Sequence, residues 1–176
     1  LKFVTSKCNV KYAEVVTQIS SESAGMATRI NVDKYIQTTE SAIKMLVGID
    51  KCKVILNVNP SPETVMQTTL FLEASKGDFS DYDQFIEGMQ TYVNGYTSDV
   101  KPTYISDTIL MISVKVFGSE DYLSKYAGNL DVINCAAIEV AKKIYKVRNE
   151  KTKRSNEYDK ILDIWVLKKM RHLTSI

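Results

Sequence analysis

The feature that most constrains this chain is its C-terminal run from Asn129 to Leu173, with a basic centre at Lys142–Arg154. Asn129 follows Gly128 and precedes an apolar-periodic segment, so it reads as a helix N-cap, with Asp131 well placed in the first turn. Ile133, Ala136, Val140, Ile144 and Val147 recur at three- and four-residue steps, which puts them on one helical face. At about 100° per residue, Lys142, Lys143, Lys146, Lys153 and Arg154 fall within an arc of roughly 120° on the other side, with Tyr145 near its edge. The spacing therefore predicts a helix that packs one face inward and shows a basic stripe on the other.

Charge is distributed unevenly about this run. From Asn129 onward there are 11 Lys and Arg against 6 Asp and Glu, net +5, whereas residues 1–128 hold 12 and 15, net −3. The whole chain carries only +2, so a polyanion would have to be bound by a local patch. A solvated helix end is the plain explanation of such a stripe, since cations are favoured near a helix C-terminus. The functional expectation is a non-enzymatic helical protein that contacts nucleic acid, RNA above DNA. Lys142, Lys143, Lys146, Lys153 and Arg154 would neutralise phosphates, and Tyr145 would stack on a base. The alternative is a protein-interaction or scaffold module, or a homo-oligomer, using faces rich in Tyr and Met.

The rest of the chain reads as helices with short connections. Asn9 looks like a cap before Tyr12, Val15, Val16, Ile19, Ser23, Met26 and Ile30, which follow the helical template. Asn31–Asp33 opens a second helix through Tyr35, Ile36, Thr39, Ile43 and Leu46, ended by Gly48. Ser61-Pro62-Glu63 has the form of a helix start, followed by Val65, Met66, Leu70 and Phe71 up to Gly77. Tyr82, Phe85, Ile86, Met89, Tyr92, Val93 and Tyr96 give the cleanest helical period. Ser119-Glu120-Asp121 opens a short helix to Ala127, and Ser155 or Asn156 caps a last one. Lys2–Thr5 fits a short strand or an ordered arm equally.

Two β-branched segments resist this reading: Val54–Val58, bounded by Asn59-Pro60, and Ile109–Phe117. The expected fold is all-α, a single compact multi-helix domain over 1–176 with its basic helical segment at 129–173. The alternative is α+β, with a small sheet formed by segments near 52–58 and 108–117.

No catalytic or cofactor signature is present. The chain has no G-x-G-x-x-G, P-loop or G-x-S-x-G, and its one histidine, His172, sits near the C-terminus, so no catalytic residue is nominated. Cys8, Cys52 and Cys135 have no zinc spacing, and Asp78, Asp81, Asp83 and Glu87 lack the alternation of a calcium loop, so neither metal nor cofactor is expected. Three distant cysteines suit a reducing compartment, and the expectation is an intracellular protein of the cytoplasm or nucleus. No apolar run reaches the roughly 18 residues of a membrane span, and with Leu1 rather than Met at the start a missing targeting signal carries little weight. Richness in Lys, Asn, Ile, Tyr and Ser suggests an AT-rich coding genome, such as that of a virus.

Overall fold

The computed structural model describes residues 1–61 and 63–173, the last 23 of these as helical backbone only. The chain divides into two compact units between Cys135 and Ala136.

The first unit is built on a five-stranded mixed sheet, which corrects the all-α expectation. Its strands are β1 (Val10–Ser20), β2 (Cys52–Asn59), β3 (Met66–Ala74), β4 (Tyr96–Tyr104) and β5 (Ile109–Val116). They lie in the order β2-β1-β3-β5-β4, with β1 and β2 parallel and every other pair antiparallel. Helices α1 (Lys2–Thr5), α2 (Met26–Ile30), α3 (Val32–Val47) and α4 (Tyr82–Gln90) complete the unit, together with the start of α5 (Gly128–Leu173). The parallel pair requires a crossover, and α2 and α3 supply it.

Two segments expected to be helical are central strands. In β1 the buried Ala13, Val15 and Ile19 alternate with Tyr12, Glu14, Val16 and Gln18, which are half-buried. Apolar residues thus stand on both faces of the strand, and a two-sided strand supplies chance matches to a helical template. After Ser61 the chain does not enter a helix; it crosses to the far side of β1 as β3, with Leu70 opposite Val15 and Leu72 opposite Ala13. Pairing on both sides, to β1 and β5, outweighs the local helix-start signal. Both segments left open are strands, β2 and β5. The short helix expected after Ser119 is a single 3-10 turn at Lys125–Ala127, and Lys2–Thr5 is one helical turn.

The helices that follow the expected pattern do so for local reasons. α3 ends on Gly48, whose φ of +78° a side chain would strain and whose N–H returns to Lys44 O at 3.1 Å. α4 stops at Gln90, short of Tyr92 and Tyr96.

Core residues come from one face of the sheet. Ala13, Val15, Leu72, Leu110 and Ile112 pack against Val4 of α1, Ile43 of α3 and Tyr82 of α4. Phe3 stacks on Phe85 with ring centroids 4.4 Å apart, joining α1 to α4. The Tyr82 hydroxyl donates to Ser98 Oγ at 2.9 Å, tying α4 to β4. On the opposite face, apart from Ser20 at the end of β1, no residue of β1, β3 or β5 is buried: Val16, Thr69, Phe71, Met111 and Ser113 are all half-buried.

Both edges of the sheet are modified. β4 departs from regular register at two places, contains Pro102, and carries Lys101 paired with Asp83 and Asp99 paired with Lys115. At β2, Glu40 of α3 reaches over so that its Oε1 accepts from the Val54 N–H at 3.1 Å, and Pro60 follows the strand.

The second unit is α5 from Ala136 onward. The helix runs without a break through residues 155 and 156, where a new start was expected. Val140, Ile144 and Val147 are 56%, 49% and 51% exposed, in contrast to the inward-packed face anticipated for them. One helix alone has no second layer to pack on.

Candidate functional site

The site is built where β1 ends. Ser20 is fully buried at the last position of the strand, and its Oγ accepts from the Glu22 N–H at 3.2 Å. Ser23 Oγ donates back to Ser20 O at 3.0 Å, which closes a tight turn of small residues. Arg29 then secures the turn from α2, Nε donating to Ala24 O at 2.9 Å and a terminal nitrogen donating to Ser21 O at 2.7 Å. A guanidinium has five donors in a fixed fork, so two carbonyls on one turn fix its position.

Opposite this turn stands the beginning of α5. Ser119 N–H donates to Asp131 Oδ2 at 2.6 Å, and Gly128 brings its backbone against Val116. Asn129 lies in this first turn, and its Oδ1 is buried with no hydrogen-bond partner among the described residues. A buried acceptor left without a donor is uncommon and costs its full desolvation.

Between these parts lies a cavity of about 520 Å³. Ile19, Ile36, Val54, Leu56, Met66 and Leu130 give it apolar walls; Thr17, Ser23, Thr28, Tyr35, Thr39 and Asn129 are its polar members. Val15, Thr39, Met66 and Val132 also line a second, more apolar hollow of about 330 Å³ that runs under Tyr82 and Phe85. The cavity lies against the helix-covered face of the sheet, along Val15, Thr17 and Ile19 of β1 and Val54 and Leu56 of β2. Its size suits a small organic molecule or part of a cofactor. The lining side chains offer hydroxyls and an amide; none of them is a carboxylate, amine, thiol or imidazole. Its chemistry is therefore binding and orientation.

The thiols lie elsewhere. Burial pushes the thiols of Cys8 and Cys52 up from their ordinary pKa, which disfavours the nucleophilic thiolate. Among the described residues, no group of three or more His, Cys, Asp or Glu is placed to hold a metal ion.

The residues nominated from sequence stand apart from this cavity. Lys142, Lys143, Tyr145 and Lys146 are exposed on α5, Lys142 sitting 3.8 Å from Glu139. Lys153 and Arg154 continue the same helix, but their side chains are outside the described residues. From spacing alone, Asn129 is legible only as a helix cap and Ser23 only as a helix residue. Neither the cavity nor the orphaned oxygen has a linear motif, because both need the end of β1, α3 and the start of α5 to be brought together.

Comparison with known proteins bears on these readings directly. Residues 1–124 match the family AcetDehyd-dimer, described as prokaryotic acetaldehyde dehydrogenase, dimerisation. The chain is 43% identical over 143 residues to an acetaldehyde dehydrogenase of Pectobacterium atrosepticum, covering 78% of this chain and 48% of that protein. It is 47% identical over 137 residues to the acetaldehyde dehydrogenase of Burkholderia thailandensis, covering 75% and 46%. To that of Carboxydothermus hydrogenoformans it is 40% identical over 157 residues, covering 84% and 52%. The chain thus spans about half the length of the relatives it matches. These similarities overturn the non-enzymatic, nucleic-acid-binding reading and the suggestion of viral origin, and a prokaryotic family gives no support to a nuclear location. No described helix is long and apolar enough to cross a membrane.

Proposed function

This chain belongs to the prokaryotic acetaldehyde dehydrogenase dimerisation family, and from that membership we propose that it is the dimerising half of an enzyme that oxidises a short aldehyde. The observation that carries this reading is the unlayered face of the sheet. A sheet is stable when both faces are covered or when one is polar enough for water. Here the second face places Val16, Ile55, Phe71 and Met111 among Thr69, Ser113, Gln18 and Gln67, a mixture typical of a surface that is covered only on assembly.

Its dimensions are sufficient. Five strands at about 4.8 Å and eight residues at about 3.3 Å give a footprint of roughly 600 Å². Side-chain relief brings that near the roughly 800 Å² per partner of a standard interface. A second copy is the occupant that the family description favours.

The cavity beside Asn129 supports the catalytic part of the reading. Its apolar walls, hydroxyls and unsatisfied amide oxygen would hold and orient a ligand that brings a hydrogen-bond donor. Groups that accept hydride or attack the aldehyde carbon are assigned to the part of the enzyme that this chain does not span.

Analytical ultracentrifugation over a concentration series tests the assembly. Wild type should sediment as a dimer and Phe71→Glu as a monomer of unchanged circular dichroism, because a carboxylate in the middle of a drying face opposes closure. A wild type that stays monomeric at its highest soluble concentrations, or a Phe71→Glu variant that still pairs, would overturn it.

A further inference from the structure

The strand register arranges the open face in four rows. One end row is Tyr12, Glu73 and Ile109; then come Glu14, Phe71 and Met111, and Val16, Thr69 and Ser113; the other end row is Gln18, Gln67 and Lys115. Glu14 and Glu73 therefore lie toward one end of the strands, and Gln18, Gln67 and Lys115 at the other, where Lys115 is already paired with Asp99 of β4. Glu14 already has partners, accepting from the Tyr12 hydroxyl at 3.4 Å and lying beside Lys53 across the β1–β2 register. Glu73 has neither a hydrogen-bond nor an ion-pair partner among the described residues. Gln67 Nε2 spends one donor on Ser113 Oγ at 3.0 Å and keeps another.

Sheets in aligned packing keep their strand directions within about 30° of each other, and in that class a two-fold axis between them lies either along the strands or across them. In both cases β3, the middle strand, faces its own copy. An axis along the strands sets each row on itself and stacks Glu73 on Glu73, two like charges in a surface losing its water. An axis across the strands sets each end row on the opposite one.

We propose that the two copies of this chain meet with their two-fold axis across the strands at the level of Leu70, so that Glu73 of one faces Gln67 and Lys115 of the other. The proposal rests on the reading above that the open face is the dimer interface. In this arrangement the unpartnered carboxylate gains the free amide donor, the Ile109 and Lys115 side chains lie along each other, and Phe71 and Met111 settle over the row of Thr69 and Val16. No charged group meets its own copy.

Site-directed cross-linking distinguishes the two axes. Cys8, Cys52 and Cys135 are first replaced by Ser, and a bis-maleimide of about 10 Å reach is used, matched to the spacing of packed sheets. Under the proposed axis, Gln67→Cys and Glu73→Cys fail to cross-link singly, and the variant carrying both yields a covalent dimer. The two sites are roughly 20 Å apart within one strand, beyond the reagent's span. Cross-linking of each single variant to itself would overturn the proposed axis and leave the dimer intact. No cross-link in any variant, with a dimeric mass retained, would move the interface off this face and remove both readings.

Discussion

Gly128 is the position where packing and the cavity are most tightly joined, and Gly128→Ala separates steric cost from conformational cost. Its backbone, at φ −55° and ψ −31°, suits any residue. An added Cβ, however, would lie 2.0 Å from Val116 O and 2.6 Å from Val116 C. Carbon and carbonyl oxygen meet no closer than about 3.3 Å, so something must retreat by more than an ångström. Val116 cannot readily yield, because it is the 3%-exposed end of β5, paired with Met66 on one side and Tyr96 on the other. The start of α5 has to move, and Asn129 with it. Overpacking of this kind costs about 1–3 kcal/mol, occasionally more. Gly88 is the internal control: it is exposed, lies inside α4, and has nothing within 4 Å of an added Cβ. Gly88→Ala should gain up to about 1 kcal/mol from helix propensity. Urea unfolding should therefore move the two midpoints in opposite directions at unchanged slope. A Gly128→Ala variant as stable as wild type would refute the close approach between the first turn of α5 and Val116.

Two further outcomes follow from the same unit. Asn129→Ala removes a buried oxygen that has no donor among the described residues, so stability should hold or rise by about 1 kcal/mol, while the aldehyde oxidation proposed above should fall; a stability loss with unchanged activity would contradict the assignment. Burial pushes the Tyr96 hydroxyl up to about 12, whereas it ionises near 10 when unfolded. Folding thus favours the neutral phenol, and its contribution is intact below about pH 10 and lost as pH rises toward 12, by at most roughly 2–3 kcal/mol. Unfolding followed by circular dichroism between these limits should show that loss in wild type and a smaller one in Tyr96→Phe.

Sequence legibility divided along the line between local and non-local causes. Where an element is stabilised by its own residues, the sequence showed it: the α3 stop at Gly48, the α4 stripe of Tyr82, Phe85 and Ile86, and the entry to α5 near Asn129 were all readable. β1 and β3 were misread because they owe their form to pairing on both sides, which spacing along one chain does not reveal. Val54–Val58 and Ile109–Phe117 stayed open for the related reason that short β-branched runs suit either state. The cationic stripe, legible from spacing alone, marks an exposed helix face. The cavity is made instead of Thr, Ser, Ile and Asn side chains, each unremarkable in its own segment.

Glu40 and the bulged β4 have a consequence for how large an assembly can become. A strand edge can recruit another strand, and the recruit brings a fresh edge of its own, so that addition has no natural end. With a carboxylate occupying a backbone donor at one margin, and bulges with Pro102 at the other, lateral growth is discouraged on both sides. On the dimer reading proposed above, the open sheet face is what remains of this sheet for assembly, and closing it on one copy leaves no sheet surface for a third.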